Sequence, residues 1–249
     1  MKWKKILGIV LGIAIAAYMA FAMLTLSKPD DSVTCTGVHV NIEQTAMTGF
    51  LTEADVRQIL SEGHLSPVGV SLNSIDLHHI EEVLQGKELI DKAECYLTRD
   101  GVMMVDIKQR VPVVRVINSR GDDYYVDTDG RPMPHANYSC NLIVATGTIS
   151  QRYAQEKLAP MVNLIQADPF WKAQVEQLNV LPDGSVEMVP RVGSHIVYLG
   201  QPTGIAKKLE RLRKFYLYGL NVAGWNKYSY ISVEFDNQII CKKKPKRRA

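Results

Sequence analysis

Ile90-Asp91-Lys92-Ala93-Glu94-Cys95-Tyr96-Leu97-Thr98-Arg99-Asp100-Gly101-Val102-Met103-Met104-Val105-Asp106-Ile107 is the stretch that decides the fold. Its middle, Arg99-Asp100-Gly101, carries the Asp-Gly dipeptide that closes hairpins, and Met103, Val105 and Ile107 alternate outward from it with the period of a half-buried strand. Lys92 to Leu97 leads into the turn, so the two sides make a strand pair. Upstream, Thr36 to Ile42 alternates with Val38, Val40 and Ile42 on one side, which predicts another strand. Between them lie two amphipathic helices. The first starts at Thr52 as N-cap, with Glu53 and Asp55 in its first turn and Val56, Ile59 and Leu60 on one face. The second is expected to start at Ser74 as cap and to carry Ile75, Leu77, Ile80, Val83 and Leu84 until Gly86. The order strand, helix, helix, strand, strand buries every apolar stripe if both helices cover one face of a three-stranded sheet. That is a small α+β domain.

From Pro112 the texture changes to short strands and turns: Val113 to Ile117, Tyr124-Tyr125-Val126 before Asp127-Thr128-Asp129-Gly130, and Asn141 to Ala145. Gln151 to Ala167 reads as a helix with Tyr153, Leu158, Met161, Val162 and Ile165 on one face, bent or interrupted at Pro160. Strands follow at Val175 to Leu181, Ser185 to Pro190 and His195 to Leu199, then a helix from Thr203 to Tyr218 and one final strand from Tyr230 to Lys242. This predicts a mostly antiparallel β domain with flanking helices.

Ahead of both domains, Ile6 to Leu26 holds about 21 residues without a charge, enough as a helix for about 30 Å of hydrocarbon. Lys2, Lys4 and Lys5 precede it, and Asp30 and Asp31 follow. By the positive-inside bias the N-terminus is cytoplasmic and the bulk extracytoplasmic. Ala20-Phe21-Ala22 resembles a signal-peptide cleavage site, but the apolar run continues through Met23, Leu24 and Leu26, which favours a retained single span. The net charge of +3 sits at the ends: without Lys2, Lys4, Lys5, Lys242, Lys243, Lys244, Lys246, Arg247 and Arg248 the remainder is near −6. Such a body offers no basic face to a phosphate backbone, so nucleic acid is not the expected partner. Cys35, Cys95, Cys140 and Cys241 are too irregularly spaced for a stapled scaffold or a metal knuckle and read as free, buried thiols.

These residues meet a known family. Gly69 to Gln109, with the hairpin above, resembles the POTRA domain of the FtsQ/DivIB cell-division proteins. Arg110-Val111-Pro112-Val113-Val114 is similar to that family's domain junction, with Gln109 and Val114 where Glu and Ala are usual. Tyr124 to Gly130 resembles its β-domain hairpin, and Leu199-Gly200, Lys207 to Leu212 and Tyr230 to Phe235 its closing helix and strand. The resemblance implies a cytoplasmic tail over 1–5, a transmembrane helix over 6–26, a linker over 27–34, a POTRA domain over 35–110, a β domain over 111–241 and a basic tail over 242–249. It further implies a non-enzymatic, bitopic divisome scaffold of the bacterial inner membrane at the division septum, bound to FtsB-like and FtsL-like bitopic proteins and other divisome components. The expected mode is strand addition at the last β-strand. Phe235, Asn237, Gln238 and Ile239 would line that contact, with Tyr230 and Ser232 on the same strand, and Lys208 and Arg211 would meet an acidic residue of the partner.

No cofactor, metal or catalytic residue is expected. His78-His79-Ile80-Glu81-Glu82 lacks the His-Glu-x-x-His spacing, and Asp127-Thr128-Asp129-Gly130 lacks the distal acid of a calcium loop, with Ala136 and Tyr138 in the candidate places. No nucleophile elbow or phosphate loop occurs. The competing readings are a secreted or anchored envelope hydrolase, or another POTRA-type translocation or assembly factor. Intact-mass measurement of the chain recovered from membranes separates anchor from leader: Met1 or Lys2 is expected at the N-terminus, and a start near Met23 would contradict anchoring.

Overall fold

The computed structural model describes residues 2–26, 33–43, 51–134 and 142–245, and in the first helix the side chains of residue 3 and of residues 11–22. That helix, α1 (Lys2–Leu26), is continuous over 25 residues. Among the described residues no helix is long and apolar enough to cross a membrane. The chain divides into two compact units, one including Thr52–Lys108 and the other running from Gln109 onward.

In the first unit, β1 (Gly37–Ile42), α2 (Glu53–Glu62), α3 (Leu77–Gln85), β2 (Ile90–Leu97) and β3 (Val102–Gln109) follow in order. The sheet order is β1-β3-β2, with β1 parallel to β3 from Gly37 opposite Val102 to Ile42 opposite Ile107. Alternate residues Ala93, Cys95, Met103, Val105 and Ile107 are buried with Val56 and Leu60 of α2 and Ile80 and Leu84 of α3. The Cys95 thiol is pushed up to about 12, first by burial and then by Glu81 and Asp106, which makes it a poor nucleophile. Thr52 caps α2 in a full capping box with Asp55. The second helix starts later than its sequence suggests. Leu72–Ser74 is a 3₁₀ turn, Ile75 is extended, and the cap is Asp76, whose side chain accepts from the His79 amide at 3.0 Å. Both Ser74 and Asp76 are good caps, and the extended Ile75 between them decides for the second.

Side chains from these helices reach the sheet's two outer strands. Glu43 N donates to Ile107 O, so the alternate Val38 carbonyl points away from β3, and Arg57 of α2 donates to it at 2.7 Å. On β2, Thr98 N donates to Val102 O, so Ala93 and Cys95 direct their backbone groups outward. Gln85 donates to the Ala93 carbonyl at 3.0 Å, and Glu81 accepts from the Cys95 amide at 2.6 Å.

The second unit is a nine-stranded sheet: β4 (Pro112–Asn118), β5 (Asp123–Asp127), β6 (Pro132–Pro134), β7 (Ile143–Gly147), β8 (Val175–Val180), β9 (Val186–Pro190), β10 (Ile196–Gly200), β11 (Tyr228–Ser232) and β12 (Ile240–Lys243). Its order is β12-β11-β10-β9-β8-β7-β4-β5-β6. Antiparallel pairs predominate, but β4–β7, β7–β8 and β10–β11 are parallel, so the sheet is mixed. Two of those parallel steps are helical crossovers, which parallel neighbours require. Between β7 and β8 run α4 (Gln151–Tyr153), a π segment (Ala154–Leu158), α5 (Ala159–Ala167) and α6 (Pro169–Gln174). Between β10 and β11 run α7 (Ile205–Lys214), a second π segment (Phe215–Leu220) and α8 (Asn221–Ala223). Pro160 neither breaks nor ends its helix. The wider π turn just before it accommodates the missing N–H and the ring that would otherwise meet the preceding turn. Trp171, Leu158, Ile165, Leu178, Met188, Leu199, Leu209 and Tyr216 fill the core between helices and sheet.

At the start of this unit, Arg110 and Asp127 form a buried pair, Nε to Oδ2 at 2.8 Å, with side chains 8% and 1% exposed. Asp127 also accepts from the amides of Asp129 (3.0 Å) and Arg131 (2.8 Å), which folds the Asp127-Thr128-Asp129-Gly130 turn around its own carboxylate. The motif is thus a structural turn. Asp127→Ala strands a buried guanidinium and should lower the unfolding free energy by about 3–5 kcal/mol. Urea denaturation measures this, and a loss within 1 kcal/mol (roughly the surface-substitution range) would contradict the assignment.

Candidate interaction edge

The segment read as one final strand is two. β11 ends at Ser232, β12 begins at Ile240, and they pair antiparallel, with Ser232 opposite Ile240, Ile231 opposite Cys241 and Tyr230 opposite Lys242. The connection passes through Asn237 at φ 62°, a left-handed conformation that asparagine tolerates. Alternating Ile231, Val233 and Phe235 carried the period-two pattern into Asp236-Asn237, which turns the chain. Consequently β11 lies inside, between β10 and β12, and the free edge is β12.

Tyr230 and Ser232 therefore sit on an inner strand. Tyr230 stacks on Tyr198 at 6.1 Å between ring centres and donates its hydroxyl to Glu187 Oε1 at 3.1 Å. Burial first, then the Glu187 carboxylate, holds its phenol above the ordinary range. Phe235 projects half-exposed from the connection. Asn237, Gln238 and Ile239 line a groove of about 720 Å³ whose opposite wall is the helix carrying Lys207, Arg211, Lys214, Phe215 and Tyr218. The structure brings these four connection residues together with Arg211 at one place.

Lys208 and Arg211 have other work. Lys208 is 8% exposed, donates to the Gln201 carbonyl at 2.8 Å, and burial lowers its pKa, so it closes the loop before α7 instead of facing a partner. Arg211 donates to the carbonyls of Val233 (3.3 Å) and Phe235 and to the Asp236 carboxylate (2.8 Å). It clamps the connection that leads into β12. Helix periodicity identified both as polar positions of α7 but says nothing about which backbone carbonyls lie beneath them.

A family model described as FtsQ/DivIB, C-terminal related matches residues 111–242, and a POTRA-like domain model matches residues 33–108. The chain belongs to the FtsQ/DivIB family. No curated protein matches it. This is a family of non-enzymatic, septal, membrane-anchored division scaffolds. Among the described residues no cluster of three potential metal ligands occurs, and Cys35, Cys95 and Cys241 are free. Cys140, Ala136 and Tyr138 lie outside the described residues.

One group near the edge escaped sequence reading. His195, at the start of β10, is 3% exposed. Its Nε2 lies 2.8 Å from the Tyr216 hydroxyl, Nδ1 has no hydrogen-bond partner among the described residues, and Trp225 flanks the ring. Beside it the end of β12 is pinned, because Lys244 donates its amide to Lys227 O at 3.1 Å and its ammonium to Ser194 Oγ. Burial, then the Lys244 charge, depresses the imidazole below 6.5. The unfolded chain takes up a proton at 6.5 that the native state refuses, so stability is full above that pH and falls as pH drops through it. Unfolding free energy should decline from about pH 7 to about pH 5.5, with His195→Gln flattening that slope. An unchanged slope in the variant would contradict the linkage.

Proposed function

We propose that this chain is a bitopic scaffold of the division septum that binds FtsB-like and FtsL-like partners by strand addition at β12, with Phe235, Asn237, Gln238 and Ile239 contacting the added segment. The observation that carries this reading is the state of the four sheet edges among the described residues. In the POTRA unit, the outward Val38 carbonyl of β1 accepts from Arg57, and on β2 the outward Ala93 carbonyl and Cys95 amide are held by Gln85 and Glu81. At the far side of the large sheet, β6 is three residues long with Pro132 and Pro134, and proline has no N–H to offer a neighbour. Along β12, among the described residues, the one side-chain bond to the backbone is from the Ser229 hydroxyl to Lys242 O at 3.3 Å, from the β11 side. An edge left with unpaired amides and carbonyls accepts a partner strand with little demand on side-chain identity.

The groove beside that edge extends the reading. It places an exposed aromatic ring, an aliphatic side chain and cations next to the added strand, so a segment flanking the strand gains contact area there. The anchoring part of this reading is supported by sequence alone: the uncharged run Ile6 to Leu26 has the length of a span at about 1.5 Å per residue, and Lys2, Lys4 and Lys5 ahead of it favour a cytoplasmic start. In this arrangement Tyr230 and Ser232 support the edge from within, and Lys208 and Arg211 set the loops on either side of it.

Phe235 carries half its surface in solvent, so its replacement tests binding without removing a core residue. Phe235→Glu should reduce recovery of the FtsB-like partner from membranes about tenfold or more while the thermal midpoint stays unchanged. Recovery equal to that of the unaltered chain would contradict strand addition at this edge.

A further inference from the structure

The charge pattern on β12 is unbalanced in one direction. Lys242 and Lys243 are exposed, and their cross-strand neighbours on β11 are Tyr230 and Tyr228, neither of them a carboxylate. Among the described residues neither lysine has a carboxylate within ion-pair distance. Lys244 follows with its ammonium on Ser194, and Lys227 lies over the Tyr228 ring, so the surroundings add further positive charge. The side of β12 facing β11 thus supplies no counter-charge, and the other side has no strand.

We infer that β12 selects an acidic strand: the segment that adds to this edge carries carboxylates at the two adjacent positions facing Lys242 and Lys243. This rests on the strand-addition reading of β12 and names the chemistry of its occupant. Directly opposed like charges destabilise a strand pair and opposite charges stabilise it. A second copy of β12 paired parallel in register, or antiparallel about Lys242 or Lys243, would set lysine against lysine, so the same residues that invite an acidic strand disfavour self-association in those registers. Because Lys244 N points back to Lys227 O, alternation directs the Cys241 and Lys243 backbone groups outward. The next outward position is Pro245, which has no N–H, so the ladder ends there and the lysines lie within its last rungs. Lys242 shares the face of Tyr230 and Lys243 that of Tyr228, so the two carboxylates lie on opposite faces of the added strand.

The test uses the purified full chain and fluorescein-labelled peptides of valine and threonine with two adjacent central glutamates. Companion peptides have glutamines or lysines at those positions, and a fourth keeps the glutamates but replaces alternate residues by proline. By fluorescence anisotropy at low salt the glutamate peptide should bind about fivefold tighter than the glutamine peptide, and the lysine peptide weaker still. The proline peptide should not bind, and K242Q/K243Q should erase the preference for glutamate over glutamine. Equal binding of the glutamate and glutamine peptides would overturn acidic selection and leave strand addition standing. Equal binding of the proline and glutamate peptides would overturn it as well, reducing the effect to attraction by loose lysines. Binding by none of the four would remove the strand-addition reading itself.

Discussion

Every β-sheet that does not close on itself has two outer strands whose amides and carbonyls need partners, and the described residues meet that requirement differently at each of four edges. Arg57 reaches over β1, Glu81 and Gln85 reach over β2, and two prolines shorten β6. Each device is specific to its place, and two of them draw side chains from helices whose apolar faces are already fixed by the core. β12 has none of them. Its polar backbone is exposed beside an aromatic ring and a groove, and its own lysines discourage pairing with another copy.

The edge is held in position by features that bind nothing themselves. Arg211 fixes three acceptors in the connection before β12, and the left-handed Asn237 completes the turn. Lys244, reaching Lys227 and Ser194, pins the other end next to the buried His195. Tyr230 ties the neighbouring strand to Glu187 on β9. A short strand fixed at both ends and backed by a rigid sheet loses little conformational freedom when a partner is added, which favours binding.

Much of this was legible in the residues. The hairpin around Asp100-Gly101, the Thr52 cap, both amphipathic helices and the alternating strands from Val113 to Leu199 rest on local signals, and local signals decide them. The order of those segments, read against a known family, also indicated the family to which the chain belongs. The α6 helix was missed although its signal was present: Asp168 caps it and Pro169 opens it, both hidden by the end of α5. The split of the last strand was missed because the alternation of Ile231, Val233 and Phe235 hid the turn-forming pair Asp236-Asn237 that follows it. The roles of Lys208 and Arg211 were illegible for a related reason. A polar helix position is the same in sequence whether it faces solvent or a carbonyl from a residue more than twenty positions later, as with Arg211 and Phe235. The mixture of parallel and antiparallel pairs is likewise a property of crossovers, which local periodicity does not encode.

Amide hydrogen exchange on the full chain, with and without the proposed FtsB-like partner, addresses the central claim at the atoms concerned. The outward amides of Cys241 and Lys243 should become protected when the partner binds, while that of Cys95, already held by Glu81, stays as it was. A bound partner that leaves Cys241 and Lys243 exchanging at their free rate would contradict the account.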